Sequence, residues 1–180
     1  MTHILHYLVD TKDIGLWYSR YSNFMINSYS DANYGGCKLD RKSTSGTCQF
    51  LGHMLISWSS KKKNSVALST TEAEYVAAGS CCAHVLWIKQ QLEDFYVFLD
   101  HVSILCDNTS AINLSKNPVH HSRTKHIEIR HHFIRDHIEK GDISLNYIAT
   151  NQQVADIFTK PLDSERFCTL RRELGMRILA

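Results

Sequence analysis

Ser69-Thr-Thr-Glu-Ala-Glu-Tyr-Val-Ala-Ala78 is the point where the chain turns from strand into helix. Ser69 with Glu72 three residues later is a capping-box pattern. Ala73, Ala77, Ser80 or Cys81, His84, Ile88 and Leu92 then recur at helical spacing, which predicts a helix from Ser69 to about Phe95. Small residues at 77 to 83 allow that helix to approach a sheet closely. Upstream, Ile26-Asn-Ser-Tyr-Ser-Asp31 is strand-like and ends in an acid. Downstream, Val102-Ser-Ile-Leu-Cys-Asp107 does the same, and a further acid, Asp156, follows Asn151-Gln-Gln-Val-Ala. The reading that joins these features is a single metal site built from acids far apart in number.

The 180 residues suit one domain with a sizeable core and modest extensions. The formal net charge of +2 makes no argument for nucleic acid, but basic residues cluster at Lys61–Lys63 and between His120 and His137. No segment has the ~20 apolar residues of a membrane helix, and no secretory leader is visible. The six cysteines include no C-x-x-C pair, and free thiols in a reducing compartment are expected. The eleven histidines have no partners at zinc-motif spacing.

Residues 1 to about 16 read as a short helix and its exit, with Gly15 free to take a positive φ in a turn. Ser45–Leu51 and Met54–Trp58 read as a hairpin around Gly52-His53. Residues 59–64 read as an exposed basic loop. A short helix over 108–115, a helix from Arg123 to Lys140 stopped by Gly141, and a strand over 143–148 follow. A helix over 151–160 ended by Pro161 and a tail helix over 162–179 complete the chain. Three early strands can pair as an antiparallel meander, whereas a strand after each later helix needs a crossover and parallel neighbours. The fold class predicted is α/β: a mixed five-stranded sheet, its first three strands antiparallel, with helices on both faces.

That order, with acids at those positions, resembles the ribonuclease H fold. Local motifs resemble one branch, the ribonuclease H domain of copia-type retrotransposon Pol polyproteins. They are Tyr29-Ser-Asp-Ala-Asn-Tyr34, Asp40-Arg-Lys-Ser-Thr-Ser-Gly46, Ser57-Trp-Ser-Ser-Lys-Lys62 and Ala67-Leu-Ser-Thr-Thr-Glu-Ala-Glu-Tyr75. Cys106-Asp-Asn108, His121-Ser-Arg-Thr-Lys-His-Ile-Glu-Ile-Arg130 and Ala155-Asp-Ile-Phe-Thr-Lys-Pro161 continue the series. The resemblance implies three parts: residues 1–22 as the end of a preceding reverse-transcriptase region, 23–161 as the ribonuclease H domain, and 162–180 as a tail helix.

It also implies an activity: a metal-dependent endonuclease that hydrolyses the RNA strand of RNA–DNA hybrids and leaves 5′-phosphate and 3′-hydroxyl ends. Asp31, Glu74, Asp107 and Asp156 are the implied catalytic and metal-binding residues, holding two Mg²⁺ (or Mn²⁺). Two such ions, roughly 4 Å apart, stabilise the charge that develops on phosphate and leaving oxygen, and hard magnesium prefers oxygen ligands. Taken singly, Asp31 and Asp107 also fit strand-end turns, and Asp156 fits a first-turn acid. Glu72 and Glu74 lie about 200° apart around a helix, so both cannot face one site; the resemblance selects Glu74. Asp10, Asp13, Asp40, Asp94, Asp100, Asp136 and Asp142 read as solvated.

The implied partners are the hybrid itself and the reverse-transcriptase region of a parent polyprotein, with no membrane. Hybrids are recognised by shape, 2′-hydroxyls and phosphates. Thr70 and Thr71 are candidates for minor-groove contact or for capping, and Asn108 opens a helix whose amides suit a phosphate. His126 and Arg130 fall among Ile127, Phe133 and Ile134 and face either substrate phosphate or an internal carboxylate. Lys61, Lys62 and Lys63 beside Trp58 are candidates for the DNA strand, and Ser43, Thr44 and Ser45 are weaker candidates. The histidine that cellular and retroviral ribonucleases H carry before the last acid is absent from 149–155. The rival reading is a catalytically silent retroelement fragment that folds and binds nucleic acid only. An integrase-type nuclease fits less well, because the helical Glu comes early. An active element would place the protein inside the cell, in a cytoplasmic particle or the nucleus.

Overall fold

The computed structural model describes residues 2–20, 24–116 and 128–178, with residues 2 and 128–132 described by backbone alone. Its centre is a five-stranded sheet formed by β2 (Ile26–Asn33), β3 (Thr44–Leu51), β4 (Met54–Lys62), β5 (Val102–Cys106) and β6 (Ile143–Tyr147). The spatial order is β4-β3-β2-β5-β6. β2, β3 and β4 pair antiparallel, and β5 pairs parallel to both β2 and β6. The mixed sheet predicted from the sequence is therefore the one present.

One face carries the principal helices: α2 (Thr70–Asp94), α3 (Thr109–Lys116) and α4 (Glu128–Glu139). α2 begins as its capping pattern predicts. Ser69 Oγ accepts from the Glu72 amide at 3.1 Å, and Glu72 Oε2 accepts from the Leu68 amide at 2.8 Å. Ala73, Ala77, Ala78, Cys81 and Cys82 are buried, so small side chains let this helix lie close on the sheet. Tyr75, Val85, Ile104, Ile134 and Leu145 belong to the main core between these layers. Gly141 ends α4 at φ +80, a conformation an L-residue rarely adopts.

The opposite face is covered by two 3₁₀ segments, Thr150–Gln152 and Val154–Phe158, and by α5 (Ser164–Glu173). Cys48, Phe50, Leu55, Val154, Ala155 and Leu174 form a second core there. α1 (Thr2–Asp10) precedes β1 (Ile14–Leu16), which pairs antiparallel with β7 (Met176–Ile178).

Several elements differ from the sequence reading. Residues 151–160 form 3₁₀ turns instead of a continuous helix, with Gln153 breaking the run: its side chain accepts from the Ala155 amide and donates to Ser30 O. The tail helix stops at Glu173, Gly175 takes φ +84, and the chain returns as β7. Gly15 lies in β1, where pairing with Arg177 holds it extended. The basic loop at 59–64 is mostly strand: β4 continues to Lys62 because β3 supplies backbone partners as far as Thr44. Asp31 lies inside β2, which runs on to Asn33.

Candidate active site

The four acids selected from the sequence arrive on four different elements. Asp31 comes from β2, Glu74 from the second turn of α2, Asp107 from the end of β5, and Asp156 from the second 3₁₀ segment. β2 and β5 are parallel neighbours, so their acid-bearing ends lie at the same end of the sheet. α2 delivers Glu74 from one face and the 3₁₀ segment delivers Asp156 from the other. Asp31, Glu74 and Asp156 are buried, and Asp107 is half-buried.

Each carboxylate is held by a specific neighbour. Glu74 Oε1 accepts from the Ala32 amide at 3.1 Å, beside Asp31 in the strand. Asp107 Oδ2 accepts from Thr150 Oγ1 at 2.9 Å. Asp31 Oδ2 accepts from Thr159 Oγ1. Lys160 Nζ donates to Asp31 Oδ1 at 3.1 Å and to Asp156 Oδ1 at 2.7 Å, joining two of the acids. Arg166 stands 3.9 Å from Asp156 Oδ2 while its guanidinium donates to the carbonyls of Thr150, Asn151 and Gln153.

Burial and mutual repulsion raise the proton affinity of Glu74 and Asp31. Desolvation, then the charges of Asp31 and Asp107, push Glu74 up to about 9. Asp31 is also raised, chiefly by burial, although Thr159 and Lys160 oppose the rise. A ligand atom each from Glu74, Cys106 and Asp107 all lie within 4.8 Å of one another. Cys106 was not foreseen in this position. Its thiol is pushed up by burial and by Glu74, so it remains protonated and points at Glu74 Oε2 from 3.9 Å.

The remaining candidates have more varied surroundings. Thr70 is exposed and Thr71 half-buried at the start of α2, where Ser69 does the capping. Asn108 Oδ1 accepts from the Ala111 amide at 2.9 Å and so caps α3, while its own amide faces Cys106 Sγ at 3.4 Å. His126 and the side chain of Arg130 lie outside the described residues. His137, on the same helix, pairs with Asp142 at 2.8 Å. Asp142 and Asp40, read as solvated, are therefore both paired: Asp40 meets Lys62 at 2.8 Å. Thr159 and Lys160 are the site residues the sequence reading missed. They stood in a quoted motif, and two cationic or hydroxyl side chains just after Asp156 were the available signal.

The chain is 38% identical over 177 residues, 98% of its length, to the retrovirus-related Pol polyprotein from transposon RE2 of Arabidopsis thaliana. The relatives it matches over nearly its whole length are copia-type Pol polyproteins. The chain spans only 12% of the length of the RE2 polyprotein. No protein-family model matches it. Among solved structures, ribonuclease H1 from the archaeon Halobacterium salinarum superposes with a TM-score of 0.56 at 11% identity, covering 75% of this chain and 94% of that one. LC11 ribonuclease H1 in complex with an RNA/DNA hybrid gives 0.52 at 14% identity, covering 74% and 93%. At such identities these likenesses show the fold, so this chain has the ribonuclease H fold. No helix among the described residues is long and apolar enough to cross a membrane.

Proposed function

We propose that this segment is a divalent-metal-dependent endonuclease that cuts the RNA strand of RNA–DNA hybrids during reverse transcription. The observation that carries the reading is the convergence of Asp31, Glu74, Asp107 and Asp156 at one end of the sheet, with Glu74 raised to about 9. Buried like charges at that density are costly unless a cation offsets them. Lys160 supplies one such cation beside Asp31 and Asp156; Glu74 and Asp107 have none so close among the described residues. The donor set is carboxylate oxygen beside a protonated thiol, which suits a hard ion such as magnesium and disfavours zinc.

Asp31, Glu74, Asp107 and Asp156 would hold the metal. Bound divalent cations would polarise the scissile phosphate and offset charge on the leaving oxygen. The protein's own groups set the carboxylates in place. Thr159 and Thr150 orient Asp31 and Asp107, and the Ala32 amide turns Glu74 inward. Arg166 ties the 3₁₀ segments to α5 and so steadies Asp156. In keeping with the relatives, the segment would act beside the reverse-transcriptase region of a longer chain, and residues 1–22 and 162–180 would flank the nuclease core.

End-labelled hybrid, duplex DNA and single-stranded RNA, each incubated with magnesium or with EDTA, test the reading. Magnesium-dependent cleavage confined to the RNA of the hybrid is the expected result. Hybrid binding without cleavage at high protein concentration would replace it with the silent-fragment reading.

A further inference from the structure

We propose that a basic, hydroxyl-lined pocket between β4 and α2 binds a backbone phosphate of the hybrid, away from the phosphate that is cut. This rests on the hybrid reading above. The pocket has a volume of about 240 Å³, and no acidic residue lines it among the described residues. Its floor is the row Ser45 and Thr47 on β3 beside Lys61 and Ser59 on β4, which are register partners and so share one face of the sheet. Ser80 and His84 close it from α2.

Three observations point to an anion. Ser45 is only 4% exposed, lines the pocket, and its buried hydroxyl has no hydrogen-bond partner among the described residues. A polar atom left so is costly unless a ligand or water reaches it. Lys63 Nζ donates to Ser80 Oγ at 2.9 Å, and Ser80 in turn donates to Val76 O, so this ammonium is held at the rim by a helix. Lys61 faces the same space with no acidic partner among the described residues, whereas Lys62 turns away to Asp40. Ammonium and hydroxyl donors around one space are the chemistry of an oxyanion site.

Position identifies which oxyanion. Ser45 pairs with Ala32, the residue after Asp31 and the one whose amide holds Glu74. Lys61 is one strand further, so the pocket floor begins about 5 Å from the acid-bearing strand and extends to about 10 Å. Ser80 is six residues beyond Glu74 along α2, about 9 Å by helix rise. At about 3.4 Å of axial rise per nucleotide, these spans correspond to roughly two or three steps along one strand. A hybrid seated on the acids would therefore bring a neighbouring phosphodiester to the pocket. The continued β4 strand gives Lys61 a fixed place that a loop would not.

The test uses the full chain in EDTA, so that hybrid is bound and not cut. Hybrid affinity is measured by fluorescence anisotropy from 50 to 300 mM salt for the parent protein, Lys61→Gln, Lys63→Gln and Lys140→Gln. Lys140 follows α4 at the far end of the sheet and matches the charge change. In parallel, inorganic phosphate is titrated while backbone amides are followed by NMR. Lys61→Gln and Lys63→Gln should each lower the slope of log affinity against log salt by about one, with Lys140→Gln near the parent. Inorganic phosphate should shift the amides of Ser45, Lys61 and Ser80. Equal slopes for all three variants overturn the proposal. So do phosphate shifts at the pocket without any slope change, which would mean a site for free phosphate alone. Parent-like binding with altered slopes but no magnesium-dependent cleavage would remove the catalytic reading and leave the pocket standing.

Discussion

Lys160 Nζ lies 3.1 Å from Asp31 Oδ1, at the end of a side chain that also reaches Asp156 at 2.7 Å. The ammonium thus spans an acid from the sheet and an acid from the 3₁₀ segment 125 residues away in sequence (156 − 31 = 125). It does for these two carboxylates what a bound cation would do, with a single charge and no ligand exchange.

Replacing it with methionine keeps the stem and removes the charge. Lys160→Met should destabilise the metal-free protein by about 2 kcal/mol, a figure reduced because the lysine side chain is one-third exposed. The same variant should bind magnesium or manganese more tightly, since no internal ammonium competes. Calorimetric titration and a thermal melt in EDTA read the two effects, which have opposite signs. Weaker metal binding in Lys160→Met would refute the competition.

Glu74 makes metal-free stability depend on pH. Its folded value of about 9 lies above the ordinary carboxyl value of 4.5, so between these limits the native state holds the extra proton. Stability must then fall as pH rises through that window. The fall should be on the order of 2 kcal/mol between pH 5 and pH 9 in EDTA. Glu74→Gln should flatten it and melt higher than the parent at pH 9, while abolishing cleavage. A parent protein equally stable to denaturant at both pH values would contradict this.

Gly46 sits opposite Asp31 in the β2–β3 ladder and leaves no room for a side chain. A methyl group there would meet Thr159 Cγ2 at 2.6 Å and Ala155 O at 2.9 Å. Gly46→Ala should push the Asp156 segment away from β2, costing about 1–3 kcal/mol and weakening metal binding. Urea denaturation and the metal titration check it; unaltered values in both would show that the segment shifts freely.

Ser69 caps the helix that carries Glu74. Ser69→Ala should cost about 1 kcal/mol, visible as a lower melting temperature, with the magnesium affinity of the folded protein within twofold of the parent. A large loss of affinity at unchanged stability would mean that the cap positions Glu74 directly.

Much of this architecture can be read from local pattern. α2 was legible because its cap, its small apolar face and its length agree with one another. The mix of antiparallel and parallel pairing followed from which connections are long enough to cross over, whereas the spatial order of the strands came only from the tertiary structure. The charged run at Lys61 and Lys62 reads as a loop because it resembles a solvated turn, yet on an edge strand charge is compatible with pairing. Gly15 was misread because its partner, Arg177, lies at the other end of the chain.

By itself the sequence determined α2, the β3–β4 hairpin and the mixed pairing of the sheet, because periodicity, capping and turn chemistry act over a few residues, while the four acids were picked out by family resemblance. Tertiary structure decided that Glu74 lies beside Asp107 and Cys106 while Glu72 turns to the Leu68 amide, that Lys160 and Thr159 join the acids, and that Ser45, Lys61 and Ser80 surround one pocket. Those outcomes depend on strand register and on how closely α2 lies against the sheet, which contacts between distant residues set.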